Sequence, residues 1–98
     1  MIEKKTRIIY EYNSLVDFEK LKLGKVETNE KYLKLFSEIE KPFEKFKLQY
    51  PNILVVYFFS PVNNEFSIYD IEVHDHKEES ICQNFLEFLN SEANLYLK

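Results

Sequence analysis

The chain has 98 residues, a length that predicts one domain, residues 1–98. Hydrophobic residues make up 45% of it and aromatic residues 16%, which excludes a disordered chain and predicts an aromatic core. The single glycine excludes a P-loop or a dinucleotide-binding fingerprint, and the single cysteine excludes an internal disulfide and a cysteine-based zinc site. The net charge of −4 and the single arginine argue against direct binding of nucleic acid.

Two elements are predicted at the start of the chain. A strand over residues 6–12 places Ile8 and Tyr10 on one face. A helix from Leu15 to Leu23 follows, because apolar residues recur there at helical spacing and the only glycine comes next, where a helix often ends. A strand is the alternative for this segment, because Lys20 to Leu23 alternates with period two.

A long amphipathic helix is predicted next. Its apolar residues are spaced by four, three, four, three and four positions. They are Tyr32, Phe36, Ile39, Phe43, Phe46 and Tyr50. Pro42 lies inside this pattern and removes a helix hydrogen bond. Because the apolar spacing stays in phase across Pro42, we expect a kinked helix or two nearly collinear helices.

A hairpin over residues 53–74 is the centre of the predicted fold. Its first strand, Ile53 to Phe59, is a continuous run of β-branched, aromatic and aliphatic residues, which is typical of a strand buried on both faces. Its second strand alternates, with Tyr69, Ile71 and Val73 on one face and polar residues on the other. Two asparagines in the link tolerate positive φ and favour an antiparallel connection.

A final helix is predicted after the hairpin. Asp75 with Glu78 three residues later is an acidic form of the capping pattern, and apolar residues continue at helical spacing to Tyr96. We expect this helix to bend or fray near Asn90. The predicted order is β-α-α-β-β-α, an α+β fold in which an antiparallel sheet of about three strands packs against two or three helices.

Location is predicted from two absences in the sequence. The first residues lack the apolar region of a signal peptide, and no apolar run approaches about 18 residues, the length of a membrane span. We therefore expect a cytoplasmic protein with no membrane contact.

One segment carries residues suited to binding a metal. If the second hairpin strand continues, its alternate polar side chains point the same way, with neighbours about 6.5–7 Å apart. They are Asp70, Glu72, His74 and His76. Imidazole and carboxylate groups at this spacing can bind zinc or iron, so a metal-binding protein or metal-dependent enzyme is the alternative function. The solvent-exposed face of an ordinary strand explains the same pattern.

The charge distribution favours a different function. Residues 1–50 carry eleven Lys and Arg against nine Asp and Glu, whereas residues 51–98 carry two against eight. An acidic half of this kind favours a basic partner and fast, salt-sensitive association. We therefore expect a protein-binding module of bacterial or phage type with no cofactor and no catalytic residue. It would be an inhibitor or immunity-type protein that neutralises a basic nuclease or toxin.

The predicted contact residues are the acids of the second half. They are Asp70, Glu72, Asp75, Glu78, Glu79, Glu87 and Glu92, with Phe66 or Phe88 as aromatic anchors. The oligomeric state stays open, because an uncovered sheet edge would also suit a subunit of a homo-oligomer.

Overall fold

Two helices lie on one face of a mixed β-sheet. The computed structural model describes residues 6–10, 14–15 and 30–98. In order, the elements of these residues are β1 (Arg7–Tyr10), β2 (Ser14–Leu15), α1 (Glu30–Gln49), β3 (Leu54–Ser60), β4 (Glu65–Glu72) and α2 (His76–Leu97). The strands lie in the order β2-β1-β3-β4.

The predicted α+β class is confirmed. The sheet is mixed, however, so the prediction of a purely antiparallel sheet is wrong. β3 and β4 form the predicted antiparallel hairpin, whereas β1 runs parallel to β3, with Ile8 paired to Tyr57. The reason is the connection between β1 and β3, which contains α1 and is long enough to cross over the sheet. Thr6 extends the parallel pair: its hydroxyl donates to the Ile53 carbonyl at 2.8 Å and accepts from the Val55 N–H at 3.4 Å.

Of the first predicted helix, only Leu15 lies among the residues that the structure describes. Leu15 lies in β2, where it pairs antiparallel with Ile9, so the helix does not begin at Leu15 as predicted. This pairing gives hydrogen-bond partners to one edge of β1. Residues 16–23 lie outside the described residues.

The core lies between the two helices and the sheet. Alternate residues of β3, Val55, Tyr57 and Phe59, point into it and are each 0% exposed. The helices add Leu35, Phe36, Ile39, Phe43 and Phe46 from α1 and Cys82, Leu89 and Ala93 from α2. The predicted apolar stripes of both helices are thereby confirmed. Neither of these two helices is long and apolar enough to cross a membrane.

α1 continues through Pro42 as one helix, so the alternative of two collinear helices is wrong. Ile39 and Phe43, on either side of Pro42, are 0% and 2% exposed and belong to the same core. Packing on both sides of the proline therefore compensates for its cost in a helix interior, which is about 3 kcal/mol.

Phe59 lies at the centre of an aromatic cluster. Its ring centroid lies 5.7 Å from Tyr10, 5.6 Å from Tyr32 and 5.5 Å from Phe36. Phe66 in β4 pairs with Phe59 across the hairpin, with ring centroids 4.9 Å apart, and is only 2% exposed. The prediction of Phe66 as an exposed anchor is therefore wrong, because the residue opposite it faces the core.

The outer edge of β4 is covered at one position by a side chain from α2. Asn90 Oδ1 accepts the Phe66 N–H at 2.7 Å, and Asn90 Nδ2 donates to the Phe66 carbonyl at 3.0 Å. The amide thus makes the two bonds that a further strand would make. The predicted fraying near Asn90 is wrong, because these bonds tie the helix to β4 and α2 continues to Leu97.

Replacing Asn90 with alanine is expected to lower the free energy of unfolding by about 1–3 kcal/mol, because the partly buried N–H and carbonyl of Phe66 lose their partners. The variant should also associate more strongly in sizing chromatography, because its strand edge can pair with another chain. Asn94→Ala, which changes an exposed asparagine of the same helix, is the control. Equal stability and equal association of the two variants would contradict a role for Asn90 in covering the edge.

Candidate functional site

A β-bulge in β4 determines which way its side chains point. Asp70 pairs with Val56 and Ile68 pairs with Tyr57, which leaves Tyr69 as an extra residue between the two pairs. An extra residue of this kind shifts the alternation of the strand by one position. Side chains after the bulge therefore lie on the face opposite to the one that a regular strand would give them.

The bulge turns Tyr69 away from the core. Tyr69 was predicted to share a face with Ile71 and Val73, and this is wrong, because Tyr69 is 60% exposed. Ile71 and Val73 do pack against the core, and so does Ile68. Ile68 and Ile71 are three residues apart, and a strand without a bulge could not turn both inward.

Tyr69 lies on the sheet face opposite the helices, beside one further ring and two acids. Its ring stacks on Phe58, with the centroids 6.3 Å apart and the planes at 25°. Asp70 and Glu72 share this face, because their partners in β3 alternate with the core-facing residues. Phe58 is half-buried and the other three are exposed. Phe58, Tyr69, Asp70 and Glu72 are called the open-face site below.

The open-face site has the chemistry to bind a basic side chain. Asp70 is held close to the strand, because its Oδ1 accepts the N–H of Ile71 at 2.9 Å. A Lys or Arg side chain can lie over the Tyr69 ring, a contact that contributes about 0.5–1 kcal/mol at an exposed position. The same cation can donate to the neighbouring carboxylate in a charge-assisted hydrogen bond.

Two of the seven predicted contact acids have a structural role at the start of α2. Asp75 is the N-cap, and its Oδ1 accepts the N–H of Glu78 at 2.9 Å. Glu78 Oε1 in turn accepts the N–H of His74 at 2.7 Å. The first bond confirms the predicted capping pattern, and the two bonds together place both carboxylates against the backbone.

Replacing Asp75 with alanine is expected to lower the free energy of unfolding by about 1 kcal/mol, because an N–H in the first turn of α2 loses its acceptor. Urea denaturation followed by circular dichroism measures the change. Glu79→Ala is the control, because Glu79 is exposed and lies in the same turn. If the two variants lose the same stability, the cap does not stabilise the helix.

Two further acids of α2 point in different directions. Glu87 is exposed and, being five residues before Glu92, lies about 140° from it around the helix axis. Glu92 lies on the side of α2 that carries Tyr96: burial raises the pKa of the Tyr96 phenol, and the charges of Glu38 and Glu92 raise it further. The structure therefore brings together Asp70 and Glu72 of β4 and does not gather all seven predicted acids on one face.

The four residues of the predicted metal group do not come together. β4 ends at Glu72, so the strand alternation does not extend to His74. The N-cap at Asp75 then turns the chain into α2, where the exposed His76 lies with its Nδ1 3.8 Å from Glu79 Oε2. Among the residues that the structure describes, no three His, Cys, Asp or Glu side chains could hold a metal ion.

Tyr69 and Phe58 are the site residues that the sequence analysis did not predict. The signal for them is present in the chain, because the three-residue spacing of Ile68 and Ile71 indicates a bulge between them. The remaining predicted anchor, Phe88, is half-buried on α2 and not on the open face.

In comparisons with known proteins, no family model, no curated protein and no solved structure matches the chain.

Proposed function

We propose that the chain is a small protein-binding module that binds a basic partner at the open-face site. The partner is a nucleic-acid-acting enzyme, and the chain is an inhibitor or immunity-type protein that neutralises it. The main support is the 60% exposed Tyr69 next to the carboxylates of Asp70 and Glu72. Large aromatic residues of this kind contribute most of the binding energy in many protein interfaces.

The position of Tyr69 favours tight binding. Its ring is supported by Phe58, and the strand that carries Phe58 packs on the helices through Tyr57 and Phe59. A tyrosine has few rotatable bonds, and a ring that is already stacked loses little freedom when a partner binds. Little of the favourable energy of the contact would therefore be lost to ordering the Tyr69 ring when the partner binds.

The charge of the surrounding chain supports the choice of partner. Residues 51–98, which include β3, β4 and α2, carry eight acids and two lysines. Their field speeds association with a basic protein and weakens as salt is added. Enzymes that act on nucleic acid present basic surfaces to the phosphates, so an acidic protein bound there competes with the substrate.

Photo-crosslinking tests this proposal. Tyr69 is replaced with p-benzoylphenylalanine in the full chain, the protein is irradiated in cells of the native host, and linked proteins are identified by mass spectrometry. A second protein carries the same probe in place of Leu48, which is 82% exposed on α1. We expect a basic enzyme to be linked from position 69 only, and its activity on nucleic acid to be lost on adding one equivalent of the wild-type chain.

Three results would contradict the proposal. The first is a partner that is linked equally well from both positions. The second is a partner with an acidic contact surface, and the third is an enzyme that keeps its full activity in the complex.

A further inference from the structure

The bulge in β4 places an aromatic ring and a carboxylate side by side. Tyr69 and Asp70 are consecutive, so their Cα atoms are about 3.8 Å apart, whereas such neighbours point to opposite faces of a regular strand. Tyr69 is the extra residue of the bulge, and its ring stacks on Phe58. Asp70 pairs with Val56, which lies on the same face of β3 as Phe58. The open-face site therefore presents a ring and a negative charge to one and the same ligand group.

The carboxylate of Asp70 is held close to the strand on one side only. Its Oδ1 accepts the N–H of Ile71 at 2.9 Å. Among the described residues, this is the only hydrogen bond that Asp70 accepts, and Asp70 is exposed. Oδ2 is therefore an acceptor in a fixed position, and a donor on a ligand can reach it without displacing another side chain.

The Tyr69 ring is also held in place and partly open. The Phe58 ring packs against it, with the centroids 6.3 Å apart and the planes at 25°. Tyr69 is nevertheless 60% exposed, so the side of the ring that Phe58 leaves uncovered is open to solvent. A flat group can stack on this side while Phe58 keeps the ring from turning.

A guanidinium group fits this pair of groups better than an ammonium group does. It is planar, so it can lie flat on a ring while its N–H groups, which point outwards in the same plane, donate to a neighbouring carboxylate. The ammonium group of lysine is compact, strongly hydrated and has no flat face. An arginine can therefore make both contacts at once, whereas a lysine binds as a point charge.

The surrounding charges attract either kind of cation. The chain has no lysine or arginine between Lys47 and Lys77, and Glu65 lies on the same face of β4 as Asp70. Arg7 of β1 lies two strands away from Asp70, at a Cα separation of about 10 Å for two strand spacings. The choice between lysine and arginine therefore depends on the ring and the carboxylate, and not on the net charge.

We propose that the open-face site recognises an arginine side chain of the basic partner and discriminates against lysine. The guanidinium stacks on the Tyr69 ring, and its N–H groups donate to Oδ2 of Asp70. The preference for arginine rests on the proposed function, because it specifies the side chain through which the partner binds.

Peptides that differ only in their cations test the preference without the partner. Two nine-residue peptides carry three arginines or three lysines in the same glycine and serine sequence, and each is titrated into the full-length ¹⁵N-labelled chain. We expect the arginine peptide to shift the amide signals of Tyr69 and Asp70, and the lysine peptide to bind at least about fivefold more weakly. The δ protons of the arginines should show nuclear Overhauser effects to the Tyr69 ring.

Three variants assign the preference to this site. Tyr69→Leu and Asp70→Asn should each reduce the difference between the peptides to about twofold or less, because each removes one of the two contacts. Glu65→Gln is the control, because it removes an exposed negative charge from the same face of β4 away from the ring. It should weaken both peptides equally and preserve the difference. The amide spectrum of each variant shows whether the chain is folded.

The preference for arginine would be overturned by equal affinity for the two peptides or by an arginine peptide that leaves Tyr69 and Asp70 unshifted. It would also be overturned if Tyr69→Leu and Asp70→Asn both kept the difference. A basic enzyme crosslinked from position 69, together with equal peptide affinities, would contradict only the preference for arginine. A preference for arginine without a crosslinked enzyme would contradict only the proposed function.

Discussion

Replacing Phe59 with alanine is expected to lower the free energy of unfolding by about 3–5 kcal/mol. Phe59 is 0% exposed, and its ring contacts aromatic side chains from β1, α1 and β4. These contacts come from three elements that cannot all move into the space that the ring leaves. A single domain is stable by only about 5–15 kcal/mol, so the variant should be close to unfolding in urea denaturation.

Phe58→Ala is the matched control for this prediction. It removes the same type of residue from the next position of the same strand, but Phe58 is half-buried and faces away from the helices. We expect a loss of about 1–2 kcal/mol, because less apolar surface is involved. Equal losses for the two variants would contradict a core on the helix side of the sheet.

Replacing Tyr69 with alanine is expected to weaken the complex with the basic partner by at least about 30-fold, which corresponds to a loss of about 2 kcal/mol. The free energy of unfolding of the free chain should fall by only about 0.5–1.5 kcal/mol, because the exposed Tyr69 ring loses its stacking on Phe58. Isothermal titration calorimetry with the enzyme identified by crosslinking measures the affinity.

Leu48→Ala is the control for this second prediction, because it removes an exposed apolar side chain from α1. Its complex should keep the wild-type affinity. An unchanged affinity of Tyr69→Ala, or an equal loss in both variants, would mean that the partner does not bind at the open-face site.

The helices of the described residues could be predicted from the sequence, because each buries a stripe that repeats at the helical period. The capping bond between Asp75 and Glu78 could also be predicted, because it joins residues only three apart. The parallel pairing of Ile8 with Tyr57 could not, because it joins residues far apart in the chain and no local pattern specifies it. Strand direction in this fold depends on the path of the connection, which residue types do not reveal.

The candidate site was predictable only in part. Asp70 and Glu72 share a face as the alternation of β4 predicts. Tyr69 was misplaced because strict alternation was assumed where Ile68 and Ile71 require an extra residue between them. Phe66 was misplaced because its burial depends on the residue opposite, Phe59, and not on its own neighbours in the chain.

The most direct test of the open-face site is an NMR map of the complex between the ¹⁵N-labelled chain and the crosslinked partner. The prediction is that the amide signals of Phe58, Ser67, Tyr69 and Asp70 shift or broaden, while those of Gln83 and Glu87 on the exposed side of α2 do not. A map centred on Gln83 and Glu87, with the signals of β4 unchanged, would contradict it.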